Sequence, residues 1–142
     1  MTRPVAIVTG GLRGIGLACA EALAEAGFDI VVADLADHPD TSLAQRFARL
    51  GAAFAYHRSD ISDLASHAGL VAAALDKFGR IDCLVNNAGI ASPVRGDLLD
   101  LDPAHFDTVL SVNLRGTIFL SQAVAKAMLA RPADHPRAIV TI

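Results

Sequence analysis

Residues 9–16 read TGGLRGIG and directly follow the apolar run VAIV at positions 5–8. A short β-branched run, closely spaced glycines and then an alanine-rich segment predict a strand, a tight turn and a helix. In this geometry the backbone N–H groups of the first helical turn are free to bind an anion such as a pyrophosphate. The glycines alone fit an ordinary structural turn as well as they fit a dinucleotide site.

Each glycine of this turn has a candidate role. Gly10 permits the turn off the strand, Gly14 allows a phosphate to approach the backbone, and Gly16 allows the helix to pack closely on the sheet. The spacing differs from the common G-x-G-x-x-G, because the first two of these glycines are farther apart. The candidate cofactor-binding turn also includes the intervening residues Leu12, Arg13 and Ile15.

The composition predicts one packed domain spanning residues 1–142, with 53% hydrophobic and 19% charged residues. A net charge of −3 without a basic cluster argues against nucleic acid and against an anionic membrane surface as partners. No apolar segment reaches membrane-spanning length without charges, so we expect a soluble, cytoplasmic protein. The two cysteines and five histidines form no ligand-like cluster, so we expect no metal site.

Strand and helix patterns alternate along the whole chain. Strands are predicted at 5–9, 28–33, 54–58, 81–85 and 138–142, and helices at 15–26, 41–50, 64–78 and 103–128. This alternation predicts an α/β fold of Rossmann type, a doubly wound parallel sheet with strand order 3-2-1-4-5, in which strand five ends the sequence. Ligands of such sheets bind at the carboxyl ends of the strands, here between strands one and four.

Asp34 ends the second predicted strand, where a carboxylate can accept hydrogen bonds from both ribose hydroxyls of an adenosine. An acid at this position would repel a 2′-phosphate, so it favours NAD over NADP, and we assign Leu35 to the same site. A solvated loop acid is the alternative interpretation of Asp34. Arg13 is a signal in the opposite direction, because a basic side chain beside the phosphates could favour NADP.

Polar residues also follow the third and fourth strands. Asp60 could accept the exocyclic amine of an adenine, with Ile61 packing nearby, although the spacing alone favours helix capping by Asp60 or a neighbour. In the NNAG sequence at 86–89, Asn87, Ala88 and Gly89 could place a ribose or nicotinamide against the backbone. An asparagine-rich turn is the alternative, and its amides could also link neighbouring strands.

Asn113 occupies a position of the long predicted helix whose neighbours at helical spacing are apolar. A carboxamide that faces the core costs about 1–3 kcal/mol unless its donors and acceptor are partnered. Asn113 is therefore predicted to be either a structural bracket or part of a site.

These motifs together resemble the classical type of the short-chain dehydrogenase/reductase family over the whole chain. TGGLRGIG at 9–16 is similar to the family's TGxxxGxG, Asp34 to its NAD-selecting acid and Asp60 to its adenine-pocket acid. The NNAG sequence at 86–89 is unaltered, and Asn113 within SVNLRG matches the asparagine that distorts its helix and holds a water in the proton relay. Ketoacyl-carrier reductases and many sugar, steroid and polyol dehydrogenases share this pattern.

The resemblance implies an oxidoreductase that interconverts a small-molecule alcohol and ketone by hydride transfer with NAD, or less readily NADP. It assigns Asn113 to the catalytic machinery. It also implies a homodimer or homotetramer that pairs through the long helix bearing Asn113 and through its successor.

The chain departs from the family at its catalytic serine and Tyr-x-x-x-Lys, which would follow strand five. The sequence ends at Ile142, the only tyrosine is Tyr56, and Asp60 stands four residues after it instead of a lysine. We expect the complete protein to continue, because strand five would otherwise be a bare apolar sheet edge, and we expect the 142 residues alone to be inactive. The alternatives are a non-catalytic nucleotide-binding or interaction module and a truncated product without a function of its own.

Overall fold

The computed structural model describes residues 2–142, in which five strands alternate with helices. The strands are β1 (Val5–Thr9), β2 (Asp29–Asp34), β3 (Phe54–Arg58), β4 (Cys83–Asn86) and β5 (Ala138–Thr141). The α-helices are α1 (Gly14–Glu25), α2 (Ser42–Arg49), α3 (His67–Phe78), α4 (Pro103–Leu110) and α5 (Thr117–Leu129). Two 3-10 turns lie at Leu64–Ser66 and Leu98–Asp100, and a π-helical segment, Ser111–Gly116, joins α4 to α5.

All five strands are parallel and pair in the order β3-β2-β1-β4-β5, which confirms the predicted doubly wound Rossmann-type sheet. The order follows from right-handed crossovers that first extend the sheet on one side of β1 and then on the other. β1 therefore lies between β2 and β4, and the ligand-binding switch point falls at the carboxyl ends of β1 and β4.

The central strands are apolar on both faces because helices cover both faces. On one face Ile7 and Leu84 pack with Leu70 of α3 and Val124 of α5. On the other face the side chains that share a core are Ala6, Val8, Ile30 and Val32 from the sheet, Ala20 and Ala24 from α1, and Leu43 and Phe47 from α2. Burial on both faces is the reason that these strands read as continuous apolar runs instead of alternating.

The long helix predicted from position 103 to 128 is interrupted. The π-helical segment Ser111–Gly116 inserts extra backbone into the helical repeat. No residue of α4, before this segment, is buried, whereas α5, after it, has buried side chains. Leu120 and Val124 are fully buried as expected, whereas Phe106 is half exposed and Asn113 is exposed. The prediction that Asn113 faces the core was wrong, because the residue lies exposed in the π-helical segment.

A buried ion pair ties the strands together at the amino end of the sheet, opposite the switch point. Arg80 donates from Nε to Oδ2 of Asp82 at 2.7 Å and from an Nη to Oδ1 at 2.8 Å. Its guanidinium also donates to both carboxylate oxygens of Asp134, in the segment before β5. The carboxylate of Asp82 in turn accepts the backbone N–H of Val5 at 2.8 Å, so one cluster fixes the starts of β1, β4 and β5.

β5 forms one edge of the sheet and its residues are exposed. Hydrogen bonds hold it at both ends, from Ala138 N to Asp82 O at 3.0 Å and from Ile142 N to Asn86 O at 3.1 Å. Within residues 2–142, no helix combines the length and the apolar character that crossing a membrane requires.

Candidate nucleotide-binding site

The glycine turn after β1 leads into α1 through two left-handed backbone positions. Gly10 has a φ of 63° and Gly14 a φ of 57°, a region that side-chain-bearing residues rarely adopt. Gly10 N donates to Ala33 O at 2.8 Å, which fixes the turn to the end of β2. The tight turn predicted from TGGLRGIG is therefore present, and its geometry requires glycine.

The N-terminus of α1 is open for a ligand. Arg13 occupies the N-cap position with extended backbone, and among the described residues its side chain makes no capping hydrogen bond. A Cβ placed on Gly14 would meet no atom within 4 Å, so the space beside the first helical turn is clear. Uncapped N–H groups and the positive end of the helix dipole together favour an anion here.

Gly16 has a different reason to be glycine. A Cβ at this position would overlap the carbonyl oxygen of Gly10 and the side-chain amide of Asn87. Gly16 therefore allows the first turn of α1 to lie directly against the glycine turn and the end of β4, as the sequence predicted for its packing on the sheet.

Thr9 and Asn87 join the ends of β1 and β4. The buried hydroxyl of Thr9 accepts the backbone N–H groups of Asn87 and Ala88, both at 3.0 Å, and donates to Val85 O at 3.3 Å. The Nδ2 of Asn87 donates to Thr9 O at 3.1 Å and to Gly10 O at 3.0 Å. The asparagine amide thus links neighbouring strands, as its sequence context allowed, and it holds the glycine turn in place.

Asp34 lies at the end of β2 and its carboxylate contacts the glycine turn. Oδ2 accepts the backbone N–H of Leu12 at 3.2 Å, and Oδ1 accepts that of Leu35 at 2.8 Å. An ionised carboxylate has about four acceptor positions, so both oxygens can still accept hydroxyl donors from a ribose. The local hydrogen bonds fix the orientation of the carboxylate before a ligand arrives.

Tyr56 braces the backbone that follows Asp34. Its hydroxyl lies 3.1 Å from Asp34 O and also contacts Ala36 O. Burial, together with the nearby charge of Asp34, raises the pKa of Tyr56 above its ordinary value. The only tyrosine of the chain is therefore a protonated structural donor, which agrees with its lack of a lysine partner in the sequence.

Asp60 and Ile61 follow β3 and border the same space. The Oδ1 of Asp60 accepts both the backbone N–H of Ser62 at 3.0 Å and its hydroxyl at 2.6 Å. Helix capping belongs to the neighbouring Asp63, whose Oδ1 accepts the N–H of Ala65 at 3.1 Å. Both bonds to Asp60 fall on one oxygen, so its other oxygen can accept a donor from a ligand.

Asn113 brackets the chain that leaves the NNAG turn. Its Oδ1 accepts Ile90 N and its Nδ2 donates to Ile90 O, each at 2.8 Å. A Cβ on Gly89 would approach the Oδ1 of Asn113 to 3.3 Å, so Gly89 gives this amide room. Of the two roles predicted for Asn113, the structural bracket is visible in these contacts.

A cavity of about 390 Å³ collects these groups at the switch point. The sequence-predicted residues that line it are Gly10, Arg13, Gly14, Ile15, Asp34, Leu35, Asp60, Ile61, Asn87, Ala88 and Gly89. The other predicted residues, Leu12, Gly16 and Asn113, do not line the cavity but contact residues that do, as described above.

Four further lining residues, Ala33, Ser59, Ile90 and Val112, were not predicted. Ala33 and Ser59 each immediately precede a predicted acid at a strand end, so the strand-end rule could have included them. Ile90 follows the NNAG turn directly. Val112 lies in the π-helical segment, and no periodicity in the sequence signals its position.

The chain matches the family model described as short chain dehydrogenase over residues 4–142. It is similar to 2-dehydro-3-deoxy-D-gluconate 5-dehydrogenase of Dickeya dadantii, with 37% identity over 138 residues. That match covers 97% of this chain and 52% of the relative. The chain thus spans about half the length of the curated relatives it matches.

Solved structures agree in fold as well as in sequence. A 3-oxoacyl-[acyl-carrier protein] reductase from Brucella melitensis in complex with NAD is 51% identical, with a TM-score of 0.93 over 99% of this chain and 55% of that one. A metagenomic short-chain oxidoreductase in complex with NADP is 31% identical, with a TM-score of 0.86 over 99% of this chain and 62% of that one. The strand order, the glycine turn and these matches agree, and the chain belongs to the short-chain dehydrogenase/reductase family.

Proposed function

We propose that the protein is a nicotinamide-dependent oxidoreductase that interconverts an alcohol and a ketone, and that these 142 residues bind its cofactor. The observation that carries the proposal is the cavity at the switch point, which joins the open N-terminus of α1 to the carboxylate of Asp34. The names of the similar proteins, a sugar-acid dehydrogenase and a ketoacyl reductase, support this reaction class.

The residues present fit a dinucleotide. The first turn of α1, beside Gly14, would bind the pyrophosphate, Asp34 the adenosine ribose, and Asp60 with Ile61 the adenine. The turn at 87–89 would then border the nicotinamide half. A bound nicotinamide supplies the hydride acceptor or donor, and the protein supplies orientation and electrostatics.

We infer that NAD is preferred over NADP. The oriented carboxylate of Asp34 would repel a 2′-phosphate and would accept the free ribose hydroxyls instead. Arg13 lines the same cavity, and its positive charge favours NADP instead. Similar structures hold either cofactor, so the preference rests on the charge of Asp34 in this chain.

The substitution Asp34→Ala tests the cofactor assignment. Loss of the carboxylate removes charged hydrogen bonds to the ribose, so NAD affinity should fall about tenfold or more and the preference should move toward NADP. Titration of cofactor binding by calorimetry or by NADH fluorescence measures both quantities. Asp76→Ala, an exposed acid on α3, is the matched control, and an unchanged preference in Asp34→Ala would contradict the assignment.

The 142-residue polypeptide itself is expected to bind the cofactor without turnover. Its only tyrosine is Tyr56, whose hydroxyl is engaged with backbone carbonyls, and it contains no Tyr-x-x-x-Lys that could serve as a general acid–base pair. Spectrophotometric assays of NADH formation with a panel of sugars and polyols should give no signal above the protein-free control. Measurable turnover by this polypeptide would overturn the expectation.

The same observation favours a second candidate, a non-catalytic nucleotide-binding or interaction module. Turnover assays on the protein expressed from its complete coding sequence distinguish the two candidates, because only the first predicts turnover. Exposed apolar side chains of Leu114, Ile118 and Phe119 on the segment after Asn113 support the further proposal of homodimers or homotetramers that pair through this helix.

A further inference from the structure

His67 is a buried polar side chain outside the cavity lining. It begins α3, is 4% exposed, and its Nε2 lies 2.8 Å from the carbonyl oxygen of Ile61. A carbonyl oxygen can only accept, so Nε2 carries a proton and donates it. The imidazole therefore fixes the backbone of the turn that follows β3.

Gly116 contacts the same carbonyl from the π-helical segment. A Cβ on Gly116 would overlap the carbonyl oxygen of Ile61 and would lie 2.8 Å from its carbonyl carbon. The peptide group after Ile61 is therefore held between the imidazole of His67 and the backbone of Gly116. A shift of Gly116 toward this peptide would produce a clash, and a shift of His67 away from it would break the hydrogen bond.

This peptide lies between two parts of the candidate site. Asp60 and Ile61, on one side, line the cavity where the adenine would bind. Gly116, on the other side, ends the π-helical segment that carries Asn113, the bracket of Ile90. The hydrogen bond from His67 thus fixes a carbonyl that lies between the residues proposed to bind adenine and the π-helical segment that carries Asn113.

We propose that His67 is a positioning residue for the adenine side of the cofactor site. By holding the Ile61 carbonyl against Gly116, it sets the place of the Asp60 carboxylate and of the Ile61 side chain in the cavity. The expected effect of His67 on cofactor binding rests on the proposed cofactor function. Its effect on the conformation of the 60–67 turn does not require a ligand.

Binding of the two halves of the cofactor tests the consequence. His67→Leu removes the donor, so AMP affinity should fall about tenfold while the affinity for nicotinamide mononucleotide stays unchanged. His67→Gln places an amide donor near the same carbonyl and should restore AMP affinity to within about threefold of the unaltered protein. Val71→Ala, on the same helix, is the control for a general loss of packing, and it should bind AMP normally.

Amide hydrogen exchange without any ligand tests whether His67 holds the turn that follows β3. In His67→Leu, exchange should accelerate across residues 60–66 and 111–116, while Val71→Ala should leave both segments protected. Unchanged exchange in His67→Leu, or an equal loss of AMP and nicotinamide mononucleotide binding, would overturn the inference. If the unaltered protein bound neither AMP nor NAD, the cofactor proposal would fail, and the exchange result would still decide the hold of His67 on this turn.

Discussion

Gly14 and Gly16 lie in the same turn but meet different physical constraints. Gly14 has a φ of 57° and open space around its Cα, so a side chain there would cost backbone strain without a clash. Gly16 lacks space, because a Cβ would overlap the carbonyl oxygen of Gly10 and the amide of Asn87. From the sequence, Gly14 was expected to let a phosphate approach the backbone and Gly16 to let the helix pack closely. The open space at Gly14 and the lack of space at Gly16 agree with these separate roles.

Gly16→Ala should therefore destabilise the protein more than Gly14→Ala does. Overlap with backbone forces α1 away from β4 and should cost about 1–3 kcal/mol or more, whereas the left-handed strain at Gly14 should cost about 1–2 kcal/mol. Urea denaturation measures the free energy of unfolding of each variant. Gly96→Ala, where a Cβ has open space, is the control, and equal stability of Gly16→Ala and this control would contradict the packing argument.

At the scale of elements, the π-helical segment between α4 and α5 is the feature that sequence periodicity did not predict. Apolar residues recur at helical spacing on both sides of the inserted π-turn, so the sequence pattern does not mark where the extra backbone lies. The resemblance to the family did imply a distorted helix at Asn113. The partner of the distortion, the backbone of Ile90, follows only from the tertiary contact.

Asn113→Ala should loosen the junction between this segment and the NNAG turn. It removes one accepted and one donated hydrogen bond of an exposed residue, so the loss of stability should be small, about 0.5–1.5 kcal/mol. The amide of Ile90 should exchange faster with solvent deuterium, which NMR can follow at that single residue. Asn113→Asp keeps an acceptor for this amide and should show an intermediate rate; unaltered exchange in Asn113→Ala would be evidence against the bracket.

At the scale of the whole molecule, the carboxyl end of the sheet forms the candidate site and the amino end holds the strands together. The carboxyl ends of β1 and β4 carry the cavity, and the amino ends are joined by the buried guanidinium of Arg80. Burial opposes ionisation of Asp82, but hydrogen bonds from Arg80 and from the N–H of Val5 outweigh it and lower the pKa of this carboxyl. Hydrogen bonds from Arg80 also lower the pKa of Asp134 to about 2.

Stability should therefore decrease in acid through this cluster. A carboxyl whose pKa is lower in the folded than in the unfolded protein stabilises the fold above its unfolded value, about 3.8, and this contribution is lost as the pH falls toward 2. Asp134→Asn should reduce the dependence of the unfolding free energy on pH between about 4 and 2. Denaturation curves across that window measure the slope, with Asp76→Asn as control, and an unaltered slope in Asp134→Asn would refute the role of this pair.

The sequence by itself determined the parallel α/β sheet, its strand order, the glycine turn and most of the cavity lining. Those features depend on local patterns, on short connections and on the rule that strand ends of a parallel sheet meet at one edge. Only the tertiary structure decided which way Asn113 faces, how His67 and Gly116 hold the carbonyl of Ile61, and how Arg80 joins three strands. The contacts of Asn113, of Gly116 and of Arg80 with Asp134 join residues that are far apart in the chain. The bond from His67 to Ile61 depends on the irregular turn between them, and none of these contacts leaves a periodic signal in the sequence.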